Sequence, residues 1–261
     1  MGRRFSLSRA SSSAGDGDLT VGIQGLAVKR AVIVGNSDGI GLALTRRLLD
    51  AGWTVTGLSR SAGGLRHERY SHQVIDVTAA GYTQALADCL DATDGVDLCV
   101  YAAGVGEFVD VHDLASQTRT IEVNLIGAAR TLEVVVPAMV AAGTGHIVGL
   151  SSLADAAPSG QAPAYAASNA GMTTYLMGLA RTLRPHGVTV TTVRLGFVDT
   201  KMAKASATPG MISVGMAVDI LMDVLHTRPT VVSRPRHIAA AAGLLGLLAA
   251  TRARIHRRRP R

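Results

Sequence analysis

Val34-Gly35-Asn36-Ser37-Asp38-Gly39-Ile40-Gly41 is the stretch that decides the fold. It follows a β-branched run, Ala31–Val34, and opens into a helix-length amphipathic segment, Ile40–Ala51. A glycine-rich turn at such a junction lets the backbone approach a pyrophosphate closely. The helix N-terminus then points unpaired N–H groups and a partial positive charge at it. Glycine turns are common, so the loop alone is weak; its place at the first strand–helix junction of an alternating chain gives it meaning.

The alternation runs outward from that loop. Further β-branched runs are Thr54–Leu58, Val74–Val77, Leu98–Tyr101, His146–Leu150, Val188–Val193 and Thr230–Ser233, with helix-length stretches such as Ile121–Val140 between them. Apolar strands separated by helices imply an α/β fold, a doubly wound parallel sheet with helices on both faces. No repeat or composition break interrupts residues 29–234, which read as one domain. Residues 1–28, rich in Ser, Gly and Arg, read as a disordered leader or as sequence upstream of the true start. Residues 235–261 read as an apolar–basic C-terminal helix and tail.

With 48% hydrophobic residues over 261 positions, the chain can bury a sizeable core, which excludes a disordered protein. Cys89 and Cys99 are too few for a disulfide framework, so a reducing, cytoplasmic setting is expected. The net charge of +7 is concentrated in residues 252–261, which hold six arginines and no acid. A basic tail on a near-neutral domain with 3% aromatic residues argues against a nucleic-acid-binding core. His146, His186 and His226 lack metal-ligand spacing, and no metal site is expected. Ile238–Ala250 carries no charge. As a helix it spans only ~20 Å, short of a ~30 Å hydrocarbon core. It reads either as a helix lying at a membrane surface with arginines at the headgroups, or as one packed on the domain or on another subunit.

The end of the second strand discriminates between dinucleotides. An acid there bonds the ribose of NAD, whereas a basic residue accommodates the 2′-phosphate of NADP. Here the sequence is Gly57-Leu58-Ser59-Arg60, which favours NADP(H), since a guanidinium suits phosphate well. Arg60 as a solvated loop residue is the plain alternative, and Asp38 in the loop is placed to repel the same phosphate.

The chain resembles the short-chain dehydrogenase/reductase family over roughly residues 29–234. The resemblance rests on the Gly35/Gly39/Gly41 loop, Asp76 in Ile75-Asp76-Val77, Tyr101-Ala102-Ala103-Gly104, Val123-Asn124-Leu125, the pair Ser152 and Tyr165, and Gly196-Phe197-Val198-Asp199-Thr200. It implies a Rossmann-type sheet, and a homodimer or homotetramer formed through helices at about 112–140 and 164–184. It also implies catalytic roles for Ser152, Tyr165, Asn124 and Asn169. With the loop it gives a cofactor site of Gly35, Asn36, Ser37, Asp38, Gly39, Ile40, Gly41, Ser59, Arg60, Asp76, Val77, Ala102, Ala103, Gly104, Asn124, Tyr165, Asn169, Gly196, Val198 and Thr200. Asp76 would meet the adenine, and Asn124 would keep a helix backbone open to a proton-relaying water. Singly, Ser152 also reads as a turn cap and Tyr165 as a packed aromatic.

One position departs from the family. Its Tyr-x-x-x-Lys stands here as Tyr165-Ala166-Ala167-Ser168-Asn169, without the lysine. Modular polyketide ketoreductases also have asparagine there but carry the lysine where this chain has Asn124. A phenol with no cation beside it ionises only near pH ~10, so such a tyrosine gives a proton to a carbonyl oxygen but does not take one from an alcohol. The expected activity is NADPH-dependent reduction of a ketone or aldehyde, with Asn169 reaching ribose hydroxyls. Lys201 is the lysine nearest in sequence to the cofactor segment. Met202, Met211, Met216 and Met222 suit an apolar, lipid-like substrate. The alternatives are a weakly active or inactive NADP(H)-binding paralogue acting as sensor or partner subunit, and non-redox chemistry on the same pair.

Overall fold

Side chains alternate across a strand, so a strand that is apolar throughout needs a hydrophobic layer on each face. In the computed structural model, which describes residues 28–93, 95–203 and 208–244, β1 (Arg30–Val34) does this. Val32 and Val34 join one buried cluster, while Ala31 and Ile33 join another. With β2 (Thr54–Ser59), β3 (Tyr70–Val74), β4 (Leu98–Tyr101), β5 (Gly145–Ser152), β6 (Val188–Leu195) and β7 (Val231–Arg234) it forms one sheet. The order is β3-β2-β1-β4-β5-β6-β7, and every pair is parallel. Residues 1–27, within the segment 1–28 read above as a leader, and the arginine cluster of 252–261 lie outside the described residues.

Two layers of helices cover the sheet. Helices α1 (Gly39–Asp50) and α6 (Val214–Thr227) bury Leu44, Leu48, Val218 and Leu221 on one face. On the other, α2 (Tyr82–Ala92), α4 (Gly127–Ala142) and α5 (Pro163–Leu183) bury Leu86, Leu132, Met139, Met172 and Leu176. A short helix, α3 (Ala115–Ile121), runs into α4 through a π-helical turn, Glu122–Ile126. The continuous helix Ala115–Ala142 is long and apolar enough to cross a membrane by length and composition alone. It instead connects β4 to its neighbour β5, and its buried side chains pack on the sheet.

Element boundaries shift in informative places. The third strand is Tyr70–Val74 and not Val74–Val77. It pairs with β2 alone, so its outer edge is solvated and its sequence, Tyr-Ser-His-Gln-Val, is mostly polar. Ile75-Asp76-Val77, which follows, lies past the end of the strand. The first helix begins at Gly39, with Asp38 as its N-cap: the carboxylate accepts from the Gly39 N–H at 2.8 Å. The chain leaves β1 towards β2 on one side, while β4 lies on the other. The turns after β1 and β4 therefore diverge and open a crevice at the strand ends.

His146, in β5, is fully enclosed and shares a 2.9 Å hydrogen bond with Thr191, whose hydroxyl donates to the Pro229 carbonyl at 2.5 Å. Burial, and secondarily the Arg228 charge, push its pKa down to about 4. The unfolded chain takes up this proton near the ordinary histidine value, and the folded chain only near 4. Stability is therefore lost as pH falls through that window, by on the order of 3 kcal/mol. His146→Gln should flatten this part of the loss in urea titrations at neutral and acidic pH; an unchanged loss would contradict it.

Candidate active site

The crevice is a cleft of about 750 Å³, within the range of small-molecule and cofactor sites. Its floor is the glycine-rich loop. Gly35 has φ +89°, and a Cβ there would lie 2.4 Å from the Ala103 nitrogen. A Cβ on Gly41 would lie 2.1 Å from the Gly35 carbonyl oxygen. The loop is thus pressed against the turn after β4 with no room for a side chain, and the start of α1 faces the cleft. Such a bare-backbone cradle at a helix N-terminus fits a pyrophosphate.

Most residues expected from the sequence line this cleft. Gly35, Ser37, Asp38, Gly39, Ile40, Gly41, Ser59, Arg60, Asp76, Val77, Ala102, Ala103, Gly104, Asn124, Ser152, Tyr165, Asn169, Gly196, Val198 and Thr200 all do. Asn36 does not. Its side chain is fully buried beneath the loop, where Nδ2 donates to the Tyr70 hydroxyl at 2.8 Å and holds the loop to β3. The Ser59 hydroxyl is also engaged, donating to the Ser61 carbonyl at 2.9 Å beside His72. Asp76 accepts from the Thr78 N–H and hydroxyl and pairs with Arg119. Burial pushes the Asp76 carboxyl up, but these partners together outweigh it and hold it low.

Asp38 does not stand as a bare charge beside a phosphate. Its other carboxylate oxygen lies 2.6 Å from Lys201 Nζ, so Lys201 neutralises Asp38 across the mouth. That hydrogen bond holds the Asp38 carboxyl below its ordinary range. Lys201 is thereby paired with the loop across solvent, its own side chain 90% exposed. Arg60, exposed at the end of β2, keeps its place on the rim.

At the far end stand Ser152 and Tyr165. Ser152 closes β5 and caps the turn Leu153–Ala156, its hydroxyl oxygen accepting from the Ala154 N–H at 3.2 Å. That bond uses a lone pair and leaves the hydroxyl proton free to donate. Tyr165 sits in the first turn of α5. Its ring packs on the Gly106 backbone, where a Cβ would come 3.1 Å from Cδ2. Its hydroxyl has no hydrogen-bond partner among the described residues.

Asn124 and Asn169 are both tied to protein. Asn124 lies in the π-helical turn and spans to Val105, accepting from its N–H at 2.8 Å and donating to its carbonyl at 2.9 Å. It also donates to Ser168 at 3.1 Å. The Tyr101 hydroxyl donates to the Val123 carbonyl of the same turn at 2.5 Å. Asn169 donates to the Tyr165 carbonyl at 2.8 Å, and its Oδ1 lies 3.3 Å from the Ser151 hydroxyl. Behind it, Ser151 bonds Thr173 at 2.8 Å, Thr173 donates to Asp155 at 2.8 Å, and Arg194 grips Asp155 with two nitrogens. Asn169 therefore fastens the first turn of α5 to this network. Sequence patterns singled out none of Arg119, Asp155, Thr173 or Arg194, because each acts through a partner at least eighteen positions away.

The family model for short chain dehydrogenases matches residues 29–209. An uncharacterized oxidoreductase of Myxococcus xanthus is 34% identical over 196 residues, covering 70% of this chain and 78% of that protein. The cis-4-hydroxycyclohexanecarboxylate dehydrogenase of Sinomonas cyclohexanicum is 29% identical over 243 residues, 87% of this chain and 93% of its own. A short chain dehydrogenase from Burkholderia cenocepacia, solved in complex with NADP, superposes with a TM-score of 0.75 at 24% identity, over 89% of this chain and 98% of its own. The parallel sheet, the bare-backbone loop, the serine–tyrosine pair and these matches agree: the chain is an oxidoreductase that belongs to the short chain dehydrogenase family.

Proposed function

We propose that this protein reduces an apolar ketone or aldehyde with NADPH. The observation that carries this reading is the presence, in one cleft, of a serine hydroxyl with an unspent proton and a tyrosine hydroxyl with no protein partner. NADPH, when bound, supplies the hydride. Ser152 donates to the carbonyl oxygen and orients it, and Tyr165 gives that oxygen its proton. Asn169 sets the tyrosine's helical turn but brings no charge, and Lys201 is held by Asp38. Both facts favour proton donation over proton removal.

Three observations support NADPH over NADH. Arg60 stands on the rim, no acid ends β2, and Asp38 is neutralised by Lys201. The Burkholderia cenocepacia structure, similar in fold, holds NADP. Phe108, Leu153, Phe197, Met202, Ile238 and Ala242 line the other end of the cleft, which suits an apolar substrate. Self-association through α4 and α5 belongs to the same proposal, supported by a groove there lined by Ile126, Val136, Tyr175 and Leu179. So does a cytoplasmic setting, supported by a cysteine content of only two, both free thiols.

Calorimetric titration tests the cofactor half. NADPH should bind more tightly than NADH, and Arg60→Ala should weaken NADPH by roughly tenfold or more while sparing NADH. Equal affinities would contradict it. Asn169→Lys tests the proton half: alcohol oxidation should rise more than ketone reduction, and equal gains in both directions would count against it. Tight NADPH binding without turnover over a broad panel of carbonyl compounds would favour the sensor reading instead.

A further inference from the structure

The substrate end of the cleft has a third wall that lies beyond the residues matched by the family model. Residues 236–244 form a helix whose Ile238 and Ala242 line the cleft. Ile238 packs on the backbone of Gly210, where a Cβ would lie 3.0 Å from Cγ1. The segments bordering this mouth also carry much of the molecule's exposed apolar surface. Phe108, Val111 and Leu114 project from the loop after β4, Met202 and Met211 from the segment after β6, and Leu244 from the C-terminal helix. Val111 is 78% exposed and Leu244 63%, values at which a large apolar side chain stands free of its own domain. Immediately after Leu244 the sequence runs Leu245-Gly246-Leu247-Leu248-Ala249-Ala250, and six arginines without an acid follow in residues 252–261.

We propose that this rim and the basic tail together bind an anionic lipid surface, with the cleft mouth turned towards the bilayer. An apolar rim by itself would take a second copy of the chain equally well. The charge decides between them: the arginine cluster repels its counterpart in a second copy and is drawn to anionic headgroups. An apolar substrate then enters past Phe108, Met202 and Ile238 directly from lipid. This inference goes beyond the reductase reading and stands without it, because lipid binding requires no turnover.

Vesicle flotation of the full chain tests it, comparing phosphatidylcholine alone with phosphatidylcholine mixed with phosphatidylglycerol. The protein should float with the anionic vesicles, remain behind with the neutral ones, and detach as salt is raised. Replacing Arg257, Arg258 and Arg259 together by alanine should lower binding at least about tenfold. Leu244→Glu should also weaken it several-fold, with NADPH affinity unchanged as evidence of an intact fold. No preference for anionic vesicles would overturn the proposal. So would a Leu244→Glu protein that floats like the wild type, or one that only loses a dimer.

Discussion

Backbone pressed directly on backbone is the constraint from which this structure follows. At Gly35 even one methyl group would sit 2.4 Å from the Ala103 nitrogen, and at Gly41 it would strike the carbonyl of Gly35. This contact joins the turn after β1 to the turn after β4, on either side of the point where the strand order reverses. Because no side chain intervenes, the start of α1 comes to the edge of the sheet with its N–H groups facing the cleft. Asn36 secures the loop from below through Tyr70, and Lys201 spans it from above through Asp38. Without this contact the cleft would not have its floor.

The second determinant is an exchange of charge for hydrogen bonding. Where the family motif that this chain resembles has a lysine, this chain has Asn169, which closes one turn of α5 onto the Tyr165 carbonyl. A chain of Ser151, Thr173, Asp155 and Arg194 stands behind it. Only the last pair is charged, Asp155 is almost wholly enclosed, and the guanidinium satisfies both carboxylate oxygens. The positive charge at this site is thus spent inside the network. What remains at Tyr165 is position, and the proposed reduction asks of it only proton donation.

Much of this was legible in the chain before its structure. Leu98–Tyr101 is apolar on both faces and Val188–Val193 is a run of valine and threonine, so hydrophobicity and β-branching located them well. The third strand was displaced because it is an edge: Tyr70–Val74 is mostly polar, while Ile75 and Val77, whose β-branched side chains suggested a strand, flank Asp76 in the cleft wall. Site residues whose backbone does the work, such as Gly35 and Gly104, fall at the cleft as their motifs imply. Side-chain direction was the harder matter. Asn36 and Ser59 sit in the right segments but point towards Tyr70 and towards His72, since a strand end offers both a cleft side and a core side. Asp38 was legible as a charge near the loop, but its pairing with Lys201 spans 163 positions and leaves no local pattern. The C-terminal helix was recognisable as apolar, though not as a wall of the cleft.

Single-turnover mixing of the NADPH-loaded protein with apolar ketones, followed by loss of the reduced-nicotinamide absorbance, is the most direct measurement. The wild type should oxidise its bound NADPH, and Tyr165→Phe, loaded with NADPH to saturation, should do so about 100-fold more slowly or worse. Equal rates in the two proteins would contradict proton donation by Tyr165.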